Sequence, residues 1–156
     1  MLKQFLEKKE IYFSEEKKDE LLNLILGLFI EQELGKDELT VFAYYPPAQA
    51  ALSKTTMHEG VEVAQRFEVY YKGIELANGY NELQDHNEQH LRFCEANLQR
   101  KELKKEEYPI DTRFLEALQK GLPDCSGVAV GFDRLMMLRL NAESISDVIA
   151  FDWKNA

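Results

Sequence analysis

Apolar residues recur at helical spacing in the first quarter of the chain. Within residues 14–34 they fall at i, i+1, i+4, i+7 and i+8, the spacing of one helix face: Leu21, Leu22, Ile25, Leu28 and Phe29. Ser14, followed by two glutamates, is typical of an N-cap, and Gly35 is typical of a helix end. The pattern therefore predicts a helix over residues 14–34.

Three further segments have helical patterns. Residues 84–106 are largely polar and place three apolar side chains on one side, at Leu91, Cys94 and Leu98. A shorter helix is predicted to begin after Asp111 as N-cap and to stop at Gly121. The last predicted helix, "FDRLMMLRLN", follows Gly131 and is expected to be capped near Asp133.

Alternating and continuous apolar runs predict the strands. Residues 66–71, "RFEVYY", and the following "IELA" flank Lys72-Gly73, which predicts a β-hairpin with a two-residue turn. Residues 39–45, "LTVFAYY", predict a strand that ends at two prolines, and "AQAALSK" suits a helical turn or a short strand. The run "GVAVG", residues 127–131, predicts a buried strand. Together the elements indicate an α+β fold, an antiparallel sheet flanked by helices.

Composition narrows the class of protein. The 156 residues favour a single domain over 1–156, and a hydrophobic content of 45% is enough for a core. A net charge of −9 argues against broad attraction to nucleic acid or to anionic membranes. Cys94 and Cys125, without a secretion signal, are interpreted as reduced thiols, so a cytoplasmic location is expected. The longest apolar run, "LLNLILGLFI", is too short to span a bilayer.

The predicted hairpin carries carboxylates in a specific arrangement. If Lys72-Gly73 is the turn, Tyr70 lies opposite Glu75 and Glu68 lies diagonal to it. Diagonal neighbours on one face are about 7–8 Å apart at the backbone. Magnesium favours one or two carboxylates together with the phosphates of its substrate. Glu68 and Glu75 are therefore candidate ligands for such an ion.

Beyond the hairpin turn, Asn78, Tyr80 and Glu82 have the opposite parity to Glu75. One extra residue at Asn78-Gly79 would bring them to the face of Glu75, because a bulge shifts the register by one. We therefore predict a bulge there and a cleft lined by all five polar groups. Exposed strand faces also often carry glutamate, and Asn-Gly is often only a turn, so spacing alone leaves an ordinary solvated strand open.

The strand and helix near the C-terminus form a second candidate. Gly131 ends the apolar strand, where the lack of a side chain permits close approach by a flat ring or a backbone. Arg134 follows in the first helical turn, where a cation is unfavourable with respect to the helix dipole. A bound phosphate would explain that placement. An arginine paired with an aspartate, or extended to water, remains the alternative.

Two stretches taken together resemble one family. "RFEVYYKGIELANGYNEL" followed by "GVAVGFDRLMML" resembles the class II lysyl-tRNA synthetase catalytic domain, and the second stretch is similar to that class's motif 3, G-x-x-x-G-x-D-R, here at 127–140. "FAYYPPAQAALSK", "PDCSGVAVGFDRL" and "DVIAFDW" resemble more closely a paralogous group, the elongation factor P–(R)-β-lysine ligases (GenX/PoxA/EpmA). The resemblance extends from about residue 14 to the C-terminus.

The resemblance implies a ligase that uses ATP and magnesium to activate lysine or (R)-β-lysine as the adenylate. The acceptor would be a lysine of elongation factor P and not tRNA, and no membrane partner is implied. Implied roles are magnesium binding by Glu68 and Glu75, and contact with the nucleotide by Glu75, Leu76, Gly131 and Arg134. Arg134 would bind the γ-phosphate as the catalytic residue. The amino-acid pocket would be lined by Asn78, Tyr80, Glu82 and Ala129. Ala129 matches the ligases, whereas lysyl-tRNA synthetases carry glycine there, which would shift preference toward β-lysine.

The sequence departs from the family in extent. Motif 1 and motif 2 of the class are not found in it, so we expect the C-terminal half of the catalytic domain, as a split subunit, a truncated product or a cloned fragment. Such a half should bind some ATP and need the missing N-terminal half, or a homodimer, to form the adenylate. Two other interpretations stay open: a lysyl-tRNA synthetase-like enzyme using α-lysine, and a non-catalytic protein that binds ATP or an amino acid.

Overall fold

The computed structural model describes residues 1–13 and 18–153. The predicted N-cap Ser14 and the charged residues after it, 15–17, lie outside the described residues. The chain divides into two compact units. The first is drawn from Met1–Ala43, Phe67–Asn78 and Val128–Ala156, and the second from Tyr44–Arg66 and Gly79–Gly127. The single domain expected over 1–156 stays a prediction.

Five strands in the described chain form one sheet, and with the helices they confirm the predicted α+β fold. They are β1 Thr40–Tyr45, β2 Thr55–His58, β3 Val61–Tyr71, β4 Ile74–Asn81 and β5 Ser126–Val130. The order is β1-β3-β4-β5, with β2 paired antiparallel to β3. The sheet thus places the carboxylate hairpin, β3–β4, between β1 and the strand of the second candidate motif, β5.

The turn between β3 and β4 is the predicted Lys72-Gly73. Both residues have positive φ, 51° and 71°, as a type I′ turn requires. The Lys72 and Gly73 amides donate to the carbonyls of Gly35 and Leu34, at 2.6 and 2.9 Å. A Cβ on Gly35 would lie 2.5 Å from the Tyr70 carbonyl oxygen, and its φ is +71°. Gly35 therefore ends the preceding helix and also lets the hairpin pack against that end.

The helix predicted over residues 14–34 is not one regular helix in the described part. It consists of α2, Lys18–Ile25, then a π-helical turn at Leu26–Ile30 and a 3₁₀ turn at Glu31–Glu33. Gly27, which has a low helix propensity, lies in the π-helical turn. A short helix that the sequence analysis missed, α1 Leu2–Lys8, packs Phe5 edge-on against Phe29, with ring centroids 5.4 Å apart.

Side chains cap two of the remaining helices, and of these caps the one at Asp111 was predicted. Asp85 precedes α3, His86–Glu102, and Asp111 precedes α4, Thr112–Lys120, which ends at Gly121 with a φ of 104°. The cap predicted near Asp133 is wrong. The N-cap of α5, Phe132–Leu140, is Gly131, and Asp133 lies within the first turn, where its charge suits the helix dipole.

The prediction of a buried strand over residues 127–131 is also wrong. Val128 and Val130 of β5 are 57% and 53% exposed. β5 is the last strand in the sheet order, and within residues 1–13 and 18–153 no element covers these side chains. An apolar run indicates a strand that can be buried, and burial depends on what packs against it. Within the described ranges, no helix has the length and apolarity needed to cross a bilayer.

Candidate active site

A buried carboxylate lies in the middle of β3. Glu68 and Tyr70 point to the same side of the strand, as residues i and i+2 do, and they are 7% and 2% exposed. The Tyr70 hydroxyl donates to Glu68 Oε2 at 2.5 Å. A carboxylate taken from water needs such donors, because an unpaired buried charge is costly. Tyr70 therefore fixes the orientation of one oxygen of a predicted magnesium ligand.

Burial and nearby carboxylates act on the hydroxyl of Tyr70. Burial raises the pKa of Tyr70 well above its ordinary value, the hydrogen bond to Glu68 raises it further, and the charges of Glu68, Glu31 and Glu75 add to the effect. Three carboxylates therefore act on one hydroxyl. Two of these carboxylates, Glu68 and Glu75, are the predicted magnesium ligands, and their role as ligands stays a prediction.

Arg134 lies beside Glu75. Its Nη1 donates to the backbone carbonyl oxygen of Glu75 at 2.8 Å and to the Glu75 Oε2 at 3.2 Å. Both side chains remain open to solvent, 46% exposed for Arg134 and 37% for Glu75. The partner is thus a glutamate of β4 and not an aspartate. Water and a ligand can reach both charges, so the pair can be exchanged for other partners.

The remaining predicted nucleotide contacts lie in the same cluster. The Gly131 amide donates to the Leu76 carbonyl oxygen at 2.8 Å. A Cβ on Gly131 would lie 3.4 Å from Arg134 Cδ and 3.6 Å from the Leu76 oxygen. The structure therefore brings together the four residues expected to contact the nucleotide: Glu75, Leu76, Gly131 and Arg134. We call them the Arg134 cluster.

A metal held by protein side chains alone does not fit the described residues. Among them no group of three or more His, Cys, Asp and Glu side chains could hold a metal ion. Two carboxylates, Glu68 and Glu75, suit magnesium only when phosphate oxygens and water complete its shell. The donor set therefore fits a magnesium ion that is bound together with a nucleotide.

Asn78 and Ala129 lie on neighbouring strands of the first unit. Asn78 is half-buried near the end of β4, and Ala129 is exposed on β5. Their predicted contact with an amino-acid substrate stays a prediction.

Tyr80, in the second unit, lies beside an arginine that the sequence analysis missed. The Arg66 guanidinium of β3 lies 4.4 Å from the Tyr45 ring centroid and 5.9 Å from that of Tyr80. Its Nη1 donates to the Gln49 carbonyl oxygen at 3.3 Å. Stacking of a cation on aromatic faces is favourable when the group is shielded from water. Arg66 thus orients Tyr80. Its only sequence signal was a charge inside an otherwise strand-like run.

Glu82 packs against a glycine whose role was also missed. A Cβ built on Gly127 would lie 2.3 Å from Glu82 Oε1, closer than any real contact. The Glu82 amide donates to the Cys125 carbonyl oxygen at 3.0 Å, which fixes the backbone beside β5. A glycine inside a strand often marks close approach, and this signal was present in "GVAVG". Gly127 leaves the space that the Glu82 carboxylate occupies.

The five polar groups predicted to line one cleft divide between the units. Glu68, Glu75 and Asn78 belong to the first, and Tyr80 and Glu82 belong to the second. β4 runs without interruption through Asn78-Gly79. Its buried positions change parity earlier, since the adjacent Leu76 and Ala77 are both buried and Gly79 follows. The burial pattern agrees with a change of face along β4, while the bulge and the common cleft stay predictions.

Comparison with known protein families identifies one family whose sequence pattern covers both motifs. Residues 8–155 match the tRNA synthetases class II (D, K and N). The chain belongs to this class II synthetase family. The hairpin and the β5–α5 segment both lie inside the matched span, so both parts of the candidate site are class II synthetase sequence.

Curated relatives of this class II synthetase chain include elongation factor P–(R)-β-lysine ligases. Those of Salmonella gallinarum, Klebsiella pneumoniae and Proteus mirabilis are each 51% identical to it over 138 residues. The alignments cover 88% of this chain and 42% of each relative. The chain therefore spans less than half the length of the curated relatives it matches.

Proposed function

We propose that the protein activates lysine or (R)-β-lysine with ATP and transfers it to a lysine of elongation factor P, and that this chain contributes the C-terminal part of the catalytic site. The 51% identity to relatives that carry the name of this ligase is the observation that supports the proposal most strongly. Because the chain spans 42% of those relatives, the activity is proposed for the whole protein.

The Arg134 cluster and the buried carboxylate support the nucleotide half of the proposal. ATP supplies the α-phosphorus that the substrate carboxylate attacks and the pyrophosphate that leaves. Glu68 and Glu75 would hold magnesium, and the Arg134 guanidinium would bind phosphate. In the free chain Glu75 and Arg134 neutralise each other at 3.2 Å. Magnesium and phosphate would replace each partner with a stronger one, so the pair keeps both groups in position until the ligands arrive.

The amino-acid half would use four side chains, Asn78, Tyr80, Glu82 and Ala129. Glu82 provides a negative charge for a substrate amine, and Gly127 leaves room for it. Arg66 holds the ring of Tyr80. No side chain is required as a covalent nucleophile, since binding the carboxylate and the phosphate in line supplies the main effect.

The acceptor distinguishes this proposal from tRNA aminoacylation. The whole protein, or this chain together with the remaining part of a 51%-identical ligase, is incubated with ATP, magnesium and labelled (R)-β-lysine. Elongation factor P and lysine tRNA are offered in separate reactions. We expect label on elongation factor P and none on tRNA. Label on tRNA alone would support a lysyl-tRNA synthetase instead, and label on neither would favour a binding protein without catalysis.

A further inference from the structure

A short segment of the second unit, residues 51–53, runs beside the end of β4. Ser53 forms an isolated antiparallel bridge with Glu82, and the Leu83 amide donates to the Leu52 carbonyl oxygen at 2.8 Å. The segment precedes β2 and lies outside the five strands of the described chain. We call it the support segment. Because it pairs with the backbone of Glu82, the position of Glu82 depends on where the support segment lies.

Arg92 of α3 holds the support segment. Its Nη1 donates to the carbonyl oxygens of Ala51 and Ser53, at 2.9 and 2.7 Å. Its Nη2 donates to the carboxylate of Glu88, one turn earlier in the same helix. The Arg92 side chain is only 18% exposed, and Ser53 is fully buried, so the Ser53 carbonyl needs a donor from the protein. Arg92 supplies that donor, and Glu88 orients the guanidinium that carries it.

Helix α3 starts from the same end of β4. Its N-cap, Asp85, lies three residues after Glu82, and Arg92 follows about two turns into the helix. The contacts therefore form a closed path, from Glu82 along the chain to Arg92 and back through the support segment. On its other side the Glu82 carboxylate has little room, since a Cβ on Gly127 would lie 2.3 Å from its Oε1. A shift of the support segment would thus displace Glu82.

We propose that Arg92 is a positioning residue for the amino-acid site, acting on Glu82 through the support segment. The inference rests on the proposed function, in which Glu82 meets the amine of a lysine-type substrate. A binding group must be held to within a fraction of an ångström, so loss of the guanidinium weakens amino-acid binding. The Arg134 cluster belongs to the first unit, so binding of ATP is left unchanged.

The kinetic test is ATP–pyrophosphate exchange by the whole protein. Arg92→Ala should raise KM for (R)-β-lysine at least tenfold and leave KM for ATP within twofold of wild type. Arg100→Ala is the matched control on α3, because Arg100 donates to the Glu106 carbonyl oxygen at 2.6 Å and stacks on Tyr108. It loses similar contacts and should change neither KM. An unchanged KM for (R)-β-lysine in Arg92→Ala, or an equal rise in both KM values, would overturn the proposal.

Amide hydrogen exchange in the same protein tests the mechanical link without relying on catalysis. The Lys54 amide donates to the Asn81 carbonyl oxygen at 2.8 Å, and the Leu83 amide to Leu52. Both amides should exchange at least tenfold faster in Arg92→Ala and at the wild-type rate in Arg100→Ala. Wild-type exchange of both amides in Arg92→Ala would refute the link between Arg92 and β4.

Two further results keep the outcome interpretable. If Arg92→Ala does not fold, Arg92→Lys replaces it, because the lysine ammonium ends one bond short of the position of Nη1. Arg92→Lys should raise KM for (R)-β-lysine and not KM for ATP, and wild-type values of both would overturn the proposal. If wild type does not activate lysine while Arg92→Ala still shows faster exchange of the two amides, the proposed function fails and the link stands.

Discussion

The hydrogen bond between Tyr70 and Glu68 joins two side chains that are almost fully buried. Replacing Tyr70 with phenylalanine keeps the ring and removes the donor to a carboxylate oxygen. A hydrogen bond to a charged group contributes about 1.5–3 kcal/mol, so we expect Tyr70→Phe to lower the free energy of unfolding by that amount. Urea denaturation measures it. Tyr71→Phe, at the neighbouring half-buried ring, is the control and should change little. Equal effects of the two changes would contradict a specific role for Tyr70.

The same pair predicts a pH dependence. Burial and the neighbouring carboxylates raise the pKa of Tyr70 above its value in the unfolded chain, about 10. The unfolded chain therefore loses this proton first as pH rises. The contribution of Tyr70 to stability is complete below about pH 10 and decreases above it. Wild type should consequently lose stability more steeply above about pH 10 than Tyr70→Phe does, and parallel curves would count against the raised pKa.

The contact between Gly127 and Glu82 predicts that a substitution at Gly127 weakens amino-acid binding but hardly changes the free energy of unfolding. A Cβ at residue 127 would displace the end of a flexible side chain, so Gly127→Ala should cost less than about 1 kcal/mol. The displaced carboxylate should weaken binding of a lysine-type amino acid at least tenfold. Gly27→Ala is the matched control, because a Cβ there meets nothing within 4 Å. Titration calorimetry of both variants measures this affinity. An unchanged affinity in Gly127→Ala would show that Glu82 does not bind the amino acid.

Some of these residues could be predicted from the sequence, and others could not because their roles depend on contacts made only in the folded chain. Glu75, Leu76, Gly131 and Arg134 belong to two motifs whose spacing is visible, and the structure joins them. Gly127 and Arg66 act through contacts with residues distant in the chain. A glycine or a charge inside a strand is a local signal, but it does not identify the distant partner. Tyr70 was visible only as an aromatic residue in a strand, because its donor role depends on burial.

Helix α5 carries a cation, Arg134, in its first turn, where the helix dipole disfavours positive charge. Arg134 lies in the first turn, and its pair with Glu75 is largely exposed. Exposed pairs contribute about 0–1 kcal/mol, so Arg134→Met should change stability by no more than that. If the guanidinium binds phosphate, affinity for ATP should fall at least tenfold. Arg139→Met, in the last turn of α5, should leave affinity unchanged. Equal ATP affinity for both variants would refute the assignment of Arg134.

Asp85, which follows β4, is the N-cap of α3. Asp85 Oδ1 accepts from the amides of Asn87 and Glu88, at 2.8 and 3.1 Å. Asp85→Ala should cost about 0.5–2 kcal/mol. Hydrogen exchange should show faster exchange of the first-turn amides of α3, with Asp111→Ala as a control that affects α4 instead. Unchanged protection of α3 would show that tertiary contacts alone hold its start.

Element types were more predictable than their extents. The Asp111 cap and the Lys72-Gly73 turn depend on local chemistry, and the structure confirms both, whereas the cap predicted near Asp133 is wrong. The hairpin that joins β2 to β3 through Glu59-Gly60 was missed, since β2, "TTMH", is short and only partly apolar. The π-helical turn at Leu26–Ile30 and the exposure of β5 depend on packing, which periodicity does not report.

For the molecule as a whole, the net charge and the names of the curated relatives both favour a protein acceptor over tRNA. A net charge of −9 does not suit a surface that attracts tRNA, and the curated relatives are named for a protein acceptor. The chain spans 42% of those relatives and holds one cation, Arg134, within its predicted nucleotide cluster. We therefore expect the other groups that stabilise the transferred phosphate to come from the rest of the protein.

ATP–pyrophosphate exchange tests the central proposal most directly, measured with (R)-β-lysine and α-lysine in parallel. The chain would be assayed alone and with the remaining part of a 51%-identical ligase. We predict no exchange by the chain alone and exchange in the mixture, faster with (R)-β-lysine and lost in Glu75→Gln. Exchange by the chain alone would contradict the need for the rest of the protein. No exchange in the mixture, with ATP and lysine still bound, would contradict the ligase itself.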